Sequence, residues 1–296
     1  MATTVTQAFN EYKSNLEISD WQASRVSTRR ENVVKALSAK LSLHPDQPSL
    51  VIGSWDRRTL TRYLSEGDVD VMVPLHYDKH KDWDSAEGTI KALDRFRAIL
   101  QDAYPDNTLR RDRNCITIQF SEFRLDVAPA FRNTGGYYRI PDSIRQLWVP
   151  TNPFKFAEKV TERNKTMGYT FVPLIKMVKG WNRDECWPIR SFHLECLMLD
   201  YFRTYTKGYS YPFMLRSFFE ALPTYLRNAI YDPVMGDRVD TYLDNNASPT
   251  KRQIAIEKAE AAAAAAKEAY EDQDKYISVA INEWQKLLGE FFPKYG

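Results

Sequence analysis

The sequence predicts an α+β protein with a mixed sheet in its first half and helices in its second half. Between residues 50 and 131, short β-type runs are separated by turn residues, and one amphipathic helix lies among them. From Asn152 onward, apolar residues instead recur at helical spacing. The 296 residues, 43% of them hydrophobic, can bury a sizeable core in one large domain or two ordinary ones.

The first half opens with two helical runs and continues with strands. Helical spacing of apolar residues covers residues 5–42. The segment DQPSLVIGS predicts a strand that enters a turn, VDVMVPL predicts a second strand, and SAEGTIKALDRFRAILQDAY predicts a helix that ends at Pro105. Three further β-type runs follow, namely NTLRRD, CITIQF and FRLDVAPAF.

The second half consists of helical segments and a long terminal helix. The shorter segments are NPFKFAEKVTERNKTM, TFVPLIKMVKGWNRD, SFHLECLMLDYFRTY and YPFMLRSFFEALPTYLRNAI. One helix is predicted over residues 251–292, because it contains six consecutive alanines, the strongest helix formers. The proline- and turn-rich residues 140–155 form the candidate hinge, so we place the domains at residues 1–150 and 151–296.

Charge and cysteine content argue against several classes of protein. The formal net charge of +2 is too small to require a nucleic-acid partner. Three scattered cysteines, Cys115, Cys186 and Cys196, favour a reducing compartment over a disulfide framework and lack zinc-site spacing. The sequence shows no signal-peptide core and no apolar run of membrane-spanning length. We therefore expect no membrane contact and a location in the cytoplasm.

Three aspartates interrupt strands that are otherwise apolar. Asp68 and Asp70 are two residues apart, so both point to one face of a strand, where like charges repel. Asp126 lies in another apolar strand, where a lone carboxylate is costly. Carboxylate oxygens suit Mg²⁺, which also binds substrate phosphates. If the two strands are neighbours, the three acids are expected to hold two Mg²⁺ ions about 4 Å apart, and Mn²⁺ can replace them.

A turn at Gly53 and Ser54 precedes the first of these strands. Glycine lets the backbone approach a ligand closely, and serine offers a hydroxyl and an amide to a phosphate. The following SWDRRTL predicts the start of a helix, and helix N-termini attract anions. Neither the turn nor the pair of aspartates is specific alone. Their order along the chain, with a later acidic strand, is a much stronger indication of phosphate chemistry.

Together these motifs resemble the DNA polymerase β-like nucleotidyltransferases, most closely the cGAS/DncV-like nucleotidyltransferases and the oligoadenylate synthases. GSWDRRTLTRYLSEGDVDVMVPL is similar to their Gly-Ser and acidic block, and LDVAPAF to their third acidic strand. LIKMVKGWN, SFHLECL and YDPV are similar to their second domain, so the resemblance covers about residues 49–234. It implies a polymerase β-like core, an oligoadenylate synthase-like helical domain and an active site in the cleft between them.

The resemblance implies a role for each matching residue of the first domain. Asp68, Asp70 and Asp126 would hold the two metal ions. Asp126 would also lie nearest the acceptor hydroxyl and could take its proton. Gly53 and Ser54 would contact the triphosphate of the donor nucleotide.

In the second domain the resemblance implies further nucleotide contacts. Lys179 would reach the triphosphate, Ser191 would touch a phosphate and Phe192 would stack on a base. Asn164 matches a position that reads the donor base, and its amide slightly favours a product that contains a pyrimidine. Structural roles stay open as well, since Lys176 and Lys179 also fit a solvated helix face, and Phe192 also fits core packing.

Three more polar residues near these motifs have structural interpretations. His193 is expected to be a hydrogen-bonded core residue rather than a catalyst. Asp237 and Asp240 lie in a glycine-containing loop and are expected to be solvated.

The resemblance implies a bacterial enzyme that joins two or three nucleoside triphosphates into a cyclic second messenger and releases pyrophosphate. The product would activate a separate effector in antiphage (CBASS) signalling. Because no zinc-ribbon insertion and no long basic surface is visible, we expect no nucleic-acid activator. Two alternatives stay open: nucleotide transfer to an RNA 3′ end or a linear oligoadenylate, and a catalytically silent nucleotide sensor. By analogy with some bacterial systems, the chain end at Gly296 would be joined to other proteins by ubiquitin-like conjugation machinery.

Overall fold

The computed structural model describes residues 2–296, which divide into two compact units. The sheet unit is Ile18–Ala157, and the helical unit joins the chain up to Glu17 with Glu158–Gly296. This division differs from the domains placed by sequence mainly at the N-terminus, because the first helix belongs to the helical unit.

The sheet unit contains a seven-stranded mixed sheet. Its strands are β1 (Leu50–Ile52), β2 (Asp68–Pro74), β3 (Thr108–Arg111), β4 (Ile116–Gln119), β5 (Arg124–Arg132), β6 (Tyr138–Asp142) and β7 (Leu147–Thr151). β2 and β5 pair in parallel at the centre, with β1 antiparallel to β2 and β4 antiparallel to β5. β3 pairs with β4, and β6 pairs with both β5 and β7. The mixed sheet predicted from the sequence is therefore confirmed.

The helices are distributed over both units. In chain order they are α1 (Val5–Asn15), α2 (Asp20–Ser38), α3 (Gly53–Asp56), α4 (Tyr77–His80), α5 (Ala86–Ala103), α6 (Pro153–Thr166), α7 (Phe171–Asp184), α8 (Ser191–Tyr201), α9 (Tyr211–Leu226), α10 (Lys251–Glu271) and α11 (Ile277–Leu288). Among the helices of residues 2–296, none combines the length and the apolar character that a membrane span requires.

Apolar and acidic residues alternate along β2 and β5, and this alternation determines which face of the sheet is buried. Val69, Val71 and Val73 of β2 are at most 1% exposed and pack in one cluster with Leu125 and Val127 of β5. Successive residues of a strand point to opposite faces, so the aspartates of both strands lie on the other face. The same cluster includes apolar residues of α2 and α5, which cover the valine face.

Two segments predicted as helical are each divided into two helices. Residues 5–42 contain α1 and α2, and Ser19 in the turn between them forms a capping box with Gln22 of α2. The alanine-rich segment contains α10 and α11, and the polar residues 272–276 separate them. α10 buries only alanines, whereas α11 buries larger side chains such as Trp284, so the two helices pack differently.

The predicted hinge at residues 140–155 instead contains most of the β6–β7 hairpin. Proline is tolerated in a sheet where its nitrogen need not donate to a neighbouring strand. Pro150 lies in β7, which pairs only with β6, and Pro141 lies beyond the part of β6 that pairs with β5. The prolines that suggested a hinge therefore occupy positions that a strand allows.

The core of the helical unit explains why α1 belongs to it. The ring of Phe9 packs edge-on against Trp284 and Phe292, with centroids 5.1 and 5.0 Å apart. The Tyr12 hydroxyl donates to the Leu288 carbonyl at 2.9 Å. Because these α1 residues are at most 1% exposed, removing α1 would uncover the core around α11.

We predict that Gly180→Ala destabilises the helical unit, although alanine is intrinsically the better helix former by about 1 kcal/mol. An added Cβ would lie 2.3 Å from the Tyr12 hydroxyl oxygen, while the next atoms are at ordinary contact distance. We expect a loss of about 1–3 kcal/mol in the free energy of unfolding, measured with urea. The same change in a Tyr12→Phe background should cost less, since the clashing oxygen is gone. An equal cost in both backgrounds would show that the Tyr12 hydroxyl is not the cause.

Candidate active site

The central strands bring two of the three predicted acids to directly paired positions. Asp70 of β2 is paired with Asp126 of β5, and both lie on the face opposite the valines. Asp68 lies on the same face, two residues before Asp70, and is paired with Arg124. The expectation that the two acidic strands are neighbours is therefore confirmed.

Burial and neighbouring charge shape the chemistry of Asp126. Burial raises the pKa of its carboxyl group, and the charge of Asp68 adds to this effect. The Thr117 hydroxyl on β4 donates to the carboxylate at 2.6 Å and lowers the pKa in turn. Asp126 is thus held at a fixed position and binds a proton more readily than an exposed aspartate. Burial and the charge of Asp126 also raise the pKa of the nearby Cys115 thiol, which stays protonated.

The Gly53 turn fits closely against the first acidic strand. Gly53 has a φ of +71°, a left-handed conformation that favours glycine. A Cβ at this position would lie 2.0 Å from an Asp70 carboxylate oxygen. Glycine is therefore required both for the backbone conformation and for the approach of the turn to Asp70.

The segment after the turn forms a tight loop rather than a long helix. α3 has only four residues, and Arg58 follows with a φ of +59°. The backbone amides of Thr59 and Leu60 both donate to the Ser54 carbonyl, at 2.9 and 3.0 Å. The predicted helix start is therefore confirmed, but the helix ends after a single turn at Asp56. The loop itself holds Ser54 in place beside Gly53.

The donor set on this face matches a hard divalent cation, because it consists of carboxylates. Within residues 2–296, however, no three histidine, cysteine or acidic side chains already converge closely enough to hold a metal ion. Thr117 binds the Asp126 carboxylate from the side of β4, away from β2. The acids thus fit the metal by chemistry and by placement on one sheet face, while their convergence stays a prediction.

The remaining predicted residues belong to the helical unit. Lys179 of α7 is 4% exposed, and its ammonium lies 2.7 Å from a Glu195 carboxylate oxygen of α8. Lys176 is equally buried and pairs with Glu17 at 2.6 Å. The alternative of a solvated lysine face is therefore wrong, because both ammonium groups are buried and paired. Whether Lys179 also reaches a triphosphate stays a prediction.

Ser191 and Phe192 are the first two residues of α8. Phe192 is 36% exposed, so the alternative that it packs in the core is wrong. His193 is buried, and its Nδ1 lies 3.0 Å from the Tyr242 hydroxyl, which confirms it as a hydrogen-bonded core residue. Tyr242 also accepts a hydrogen bond from the Arg190 amide at 2.7 Å. The start of α8 is thus fixed by Tyr242, and the Phe192 ring next to it stays accessible.

Two polar residues have structural partners that the sequence did not reveal. The Asn164 side-chain oxygen accepts the Val172 amide at 3.0 Å, which ties α6 to the start of α7. Asp240 was expected to be solvated, and this is wrong, because it is fully buried between Arg238 and Arg252. Burial alone would raise the pKa of Asp240, but the hydrogen bonds from both arginines hold it well below its usual range.

Sequence reasoning also missed Thr117, the hydroxyl that binds Asp126. The signal was present in CITIQF, where Thr117 lies between Ile116 and Ile118. Both isoleucines are fully buried, so alternation places Thr117 on the face of the acids.

This combination of sheet topology, paired acids and Gly-Ser turn defines a nucleotidyltransferase of the polymerase β-like class. A family model described as "Second Messenger Oligonucleotide or Dinucleotide Synthetase domain" (SMODS) matches residues 3–164. The chain belongs to this family, and the protein is accordingly an enzyme that synthesises an oligonucleotide second messenger.

Individual relatives agree with this assignment. The cyclic AMP-AMP-AMP synthase of an Acinetobacter species is 26% identical, and the alignment covers 98% of this chain and 86% of the relative. The CBASS oligonucleotide cyclase CdnC of Escherichia coli is 27% identical over 57% of this chain and 56% of its own. The solved structure of Vibrio cholerae DncV cyclic AMP-GMP synthase superposes with a TM-score of 0.73 over 99% of this chain and 97% of its own. At 13% identity, the last comparison shows the fold.

We predict that Gly53→Ala strongly reduces nucleotide turnover. The new methyl group must displace the Asp70 carboxylate, and a misplacement of about 1 Å can cost about a hundredfold in rate. Gly136→Ala is the matched control, because Gly136 also has a positive φ, of 80°, but has no atom within 4 Å of an added Cβ. Turnover measured with labelled nucleoside triphosphates should fall only in the first variant. Equal activity of the two variants would contradict the proposed contact between the turn and the acid.

Proposed function

We propose that this protein joins two or three nucleoside triphosphates into a cyclic oligonucleotide and releases pyrophosphate at each bond formed. The observation that carries the proposal is the direct pairing of Asp70 with Asp126 beside the Gly53 turn. Two carboxylates side by side in a half-buried setting repel each other, and a divalent cation removes that repulsion. The arrangement therefore supports chemistry on a phosphate that arrives with its cation.

We propose that Asp68, Asp70 and Asp126 hold two Mg²⁺ ions, which Mn²⁺ can replace. When bound, such ions offset the charge that builds up on the phosphates and activate the attacking hydroxyl. Asp126 is the residue proposed to take the hydroxyl proton. Burial raises the pKa of this carboxyl group, whereas a bound cation would favour its charged form, which is the form that can accept a proton. Thr117 keeps this carboxylate oriented during the reaction.

Gly53 and Ser54 are proposed to contact the donor triphosphate. Within the described residues, the Ser54 hydroxyl has no hydrogen-bond partner, while its carbonyl anchors the loop that follows. In the helical unit, Ser191 and Phe192 are proposed to contact a phosphate and a base. Lys179 can contribute to triphosphate binding only if its ammonium is shared with Glu195, which holds it at 2.7 Å.

The biological setting is proposed from the relatives. CdnC carries the name of a CBASS oligonucleotide cyclase, and the Acinetobacter relative makes an all-adenine trinucleotide. We propose that this protein likewise serves antiphage signalling and that its product activates a separate effector. Conjugation through Gly296 is also proposed, although the preceding residue is not frayed, since Tyr295 forms a β-bridge with Ala2. The conjugating machinery would therefore have to detach this end first.

We predict that the double variant Asp68→Asn, Asp70→Asn loses all detectable product, while its unfolding temperature stays equal or rises. Removing like charges relieves repulsion and leaves the strand packing unchanged. Asp78→Asn is the matched control, because Asp78 is an exposed aspartate of the same unit outside the proposed site. Thin-layer chromatography of labelled nucleoside triphosphates gives the measurement. Product from the double variant at the level of the control would overturn the assignment of the acids.

The identity of the product distinguishes the proposal from its alternatives. We would incubate the protein with each nucleoside triphosphate singly and in pairs, with Mg²⁺, with Mn²⁺ or with EDTA, and analyse the products by mass spectrometry. A cyclic product that EDTA abolishes supports the proposal. Linear oligomers, or extension of an added RNA 3′ end, would favour template-independent transfer instead. Binding without any product under all conditions would favour a silent sensor.

A further inference from the structure

The helical unit contains an open cavity of about 720 Å³ that none of the proposed site residues lines. Its walls come from α6, from the second half of α8, and from the segments that follow α8 and α9. Pockets of about 300–1,000 Å³ are typical of sites for small molecules. The cavity therefore has the size of a ligand site, and its lining indicates which ligand.

One wall is a polar face of α6. Lys159, Glu162, Arg163 and Thr166 all line the cavity, at the spacing of a single helix face. An adjacent face of α6 carries the buried apolar residue Val160. An amphipathic helix normally leaves such a polar face to open water, whereas here it borders a concave space.

Two of these side chains have no partner. Within residues 2–296, the Lys159 ammonium and the Glu162 carboxylate form no hydrogen bond or ion pair, although they are three residues apart on one helix. An unpaired ammonium favours an anionic group of a ligand. An unpaired carboxylate favours N–H or O–H donors, such as an exocyclic amine or a ribose hydroxyl. The wall thus presents complementary groups for a ligand that carries both features.

The neighbouring wall is held in a fixed shape. Arg163 donates to the carbonyls of Tyr205 and Arg203, at 2.8 and 2.7 Å. Arg203 in turn pairs with Asp200 at 2.6 Å, so the acid of that wall is neutralised. Arg163 keeps its full positive charge, because carbonyl oxygens carry only partial charges. The cavity is therefore preformed and positive in character on this side.

The floor and rim offer a surface for a flat ring. Cys196 and Ile230 are almost fully buried at the floor, and Leu199 lies beside them. Tyr231 lines the same cavity with 57% of its surface exposed. Exposed aromatic rings can stack on nucleobases, so Tyr231 offers a stacking surface at the rim.

From these features we propose that this cavity is a second binding site for a nucleoside phosphate. A nucleoside phosphate combines a flat ring for Tyr231, an anionic group for Lys159 and N–H or O–H donors for Glu162. The choice of this ligand class rests on the proposed function, because that reaction involves two kinds of nucleoside phosphate. One source is a nucleoside triphosphate substrate, and the other is the cyclic product.

Equilibrium dialysis of the full-length protein in EDTA tests the site without turnover. The probes are labelled ATP and, in a separate arm, the labelled product purified from the wild-type reaction. In the double variant Lys159→Ala, Tyr231→Ala, we expect the bound probe to fall by about one equivalent, or its dissociation constant to rise at least about tenfold. Glu162→Gln should weaken binding by about tenfold on its own.

Matched controls separate this effect from general changes. Lys165→Ala removes a lysine from another face of α6, and Tyr276→Ala removes a tyrosine that is 60% exposed elsewhere in the helical unit. Both controls should bind as the wild type does. Loss in the ATP arm assigns the site to a substrate nucleotide, and loss in the product arm assigns it to the product.

Unchanged binding of both probes by the double variant would overturn the inference. That result would leave the proposed function intact, because dialysis in EDTA does not depend on the acids. Conversely, the wild-type protein could form no product and yet bind ATP, with that binding weakened in the Lys159→Ala, Tyr231→Ala variant. This result would support the second site and contradict the proposed synthesis. Both side chains are exposed, so the variants should fold normally, as a thermal unfolding scan would show.

Discussion

The placement of two like charges side by side, Asp70 and Asp126, is the constraint on which the sheet unit depends. Carboxylates in a partly buried sheet are unfavourable: burial raises the pKa of Asp126, and the charge of Asp68 adds to the effect. The opposite face compensates, since Val71 and Val127 are fully buried and each such side chain contributes about 1.5–3 kcal/mol. A slip of the register by one residue would turn the acids into the apolar core. The valines therefore hold the strands in the one register that brings the acids together.

The same constraint extends to the neighbouring strands. β1 ends at Ile52, which is paired with Asp70, so the chain must leave the sheet directly beside a carboxylate. Only a residue without a side chain fits at Gly53, and the amides of the next loop then converge on the Ser54 carbonyl. On the far side, Thr117 holds Asp126 from β4. Turn, acids and hydroxyl thus depend on one another.

The features that could be predicted from the sequence are those with a local cause. β2 and β5 were predicted because apolar residues alternate within each strand, and the acids stood out against that pattern. The β6–β7 hairpin was missed because Pro141 and Pro150 suggested turns. A strand tolerates proline only where its nitrogen faces no neighbouring strand, and the strand pairing that decides this cannot be read from the local sequence. The break between α10 and α11 was missed because the high helix propensity of the alanine run suggested one continuous helix. The partners of Lys179 and Asp240 lie on other segments, so no local signal could show that either residue is buried.

In the helical unit, a buried ion-pair cluster fixes the position of a loop, as the paired acids and valines fix the register of the central strands. Asp240 anchors its loop between Arg238 and Arg252, and this loop carries Tyr242 to the start of α8. α8 begins without a side-chain cap, so the Tyr242 hydroxyl satisfies the Arg190 amide in its place. Burial lowers the pKa of His193 to about 4, so the ring stays neutral at physiological pH and its Nδ1 can accept a hydrogen bond from the Tyr242 hydroxyl.

The effect of these contacts is to fix the first turn of α8 while Phe192 stays exposed. With 36% of its surface exposed, Phe192 gives up part of the stabilisation that full burial of a phenylalanine would provide, about 1.5–3 kcal/mol. A rigid support under an accessible ring is what a stacking contact with a base requires, because the ring then loses little conformational entropy when the base binds.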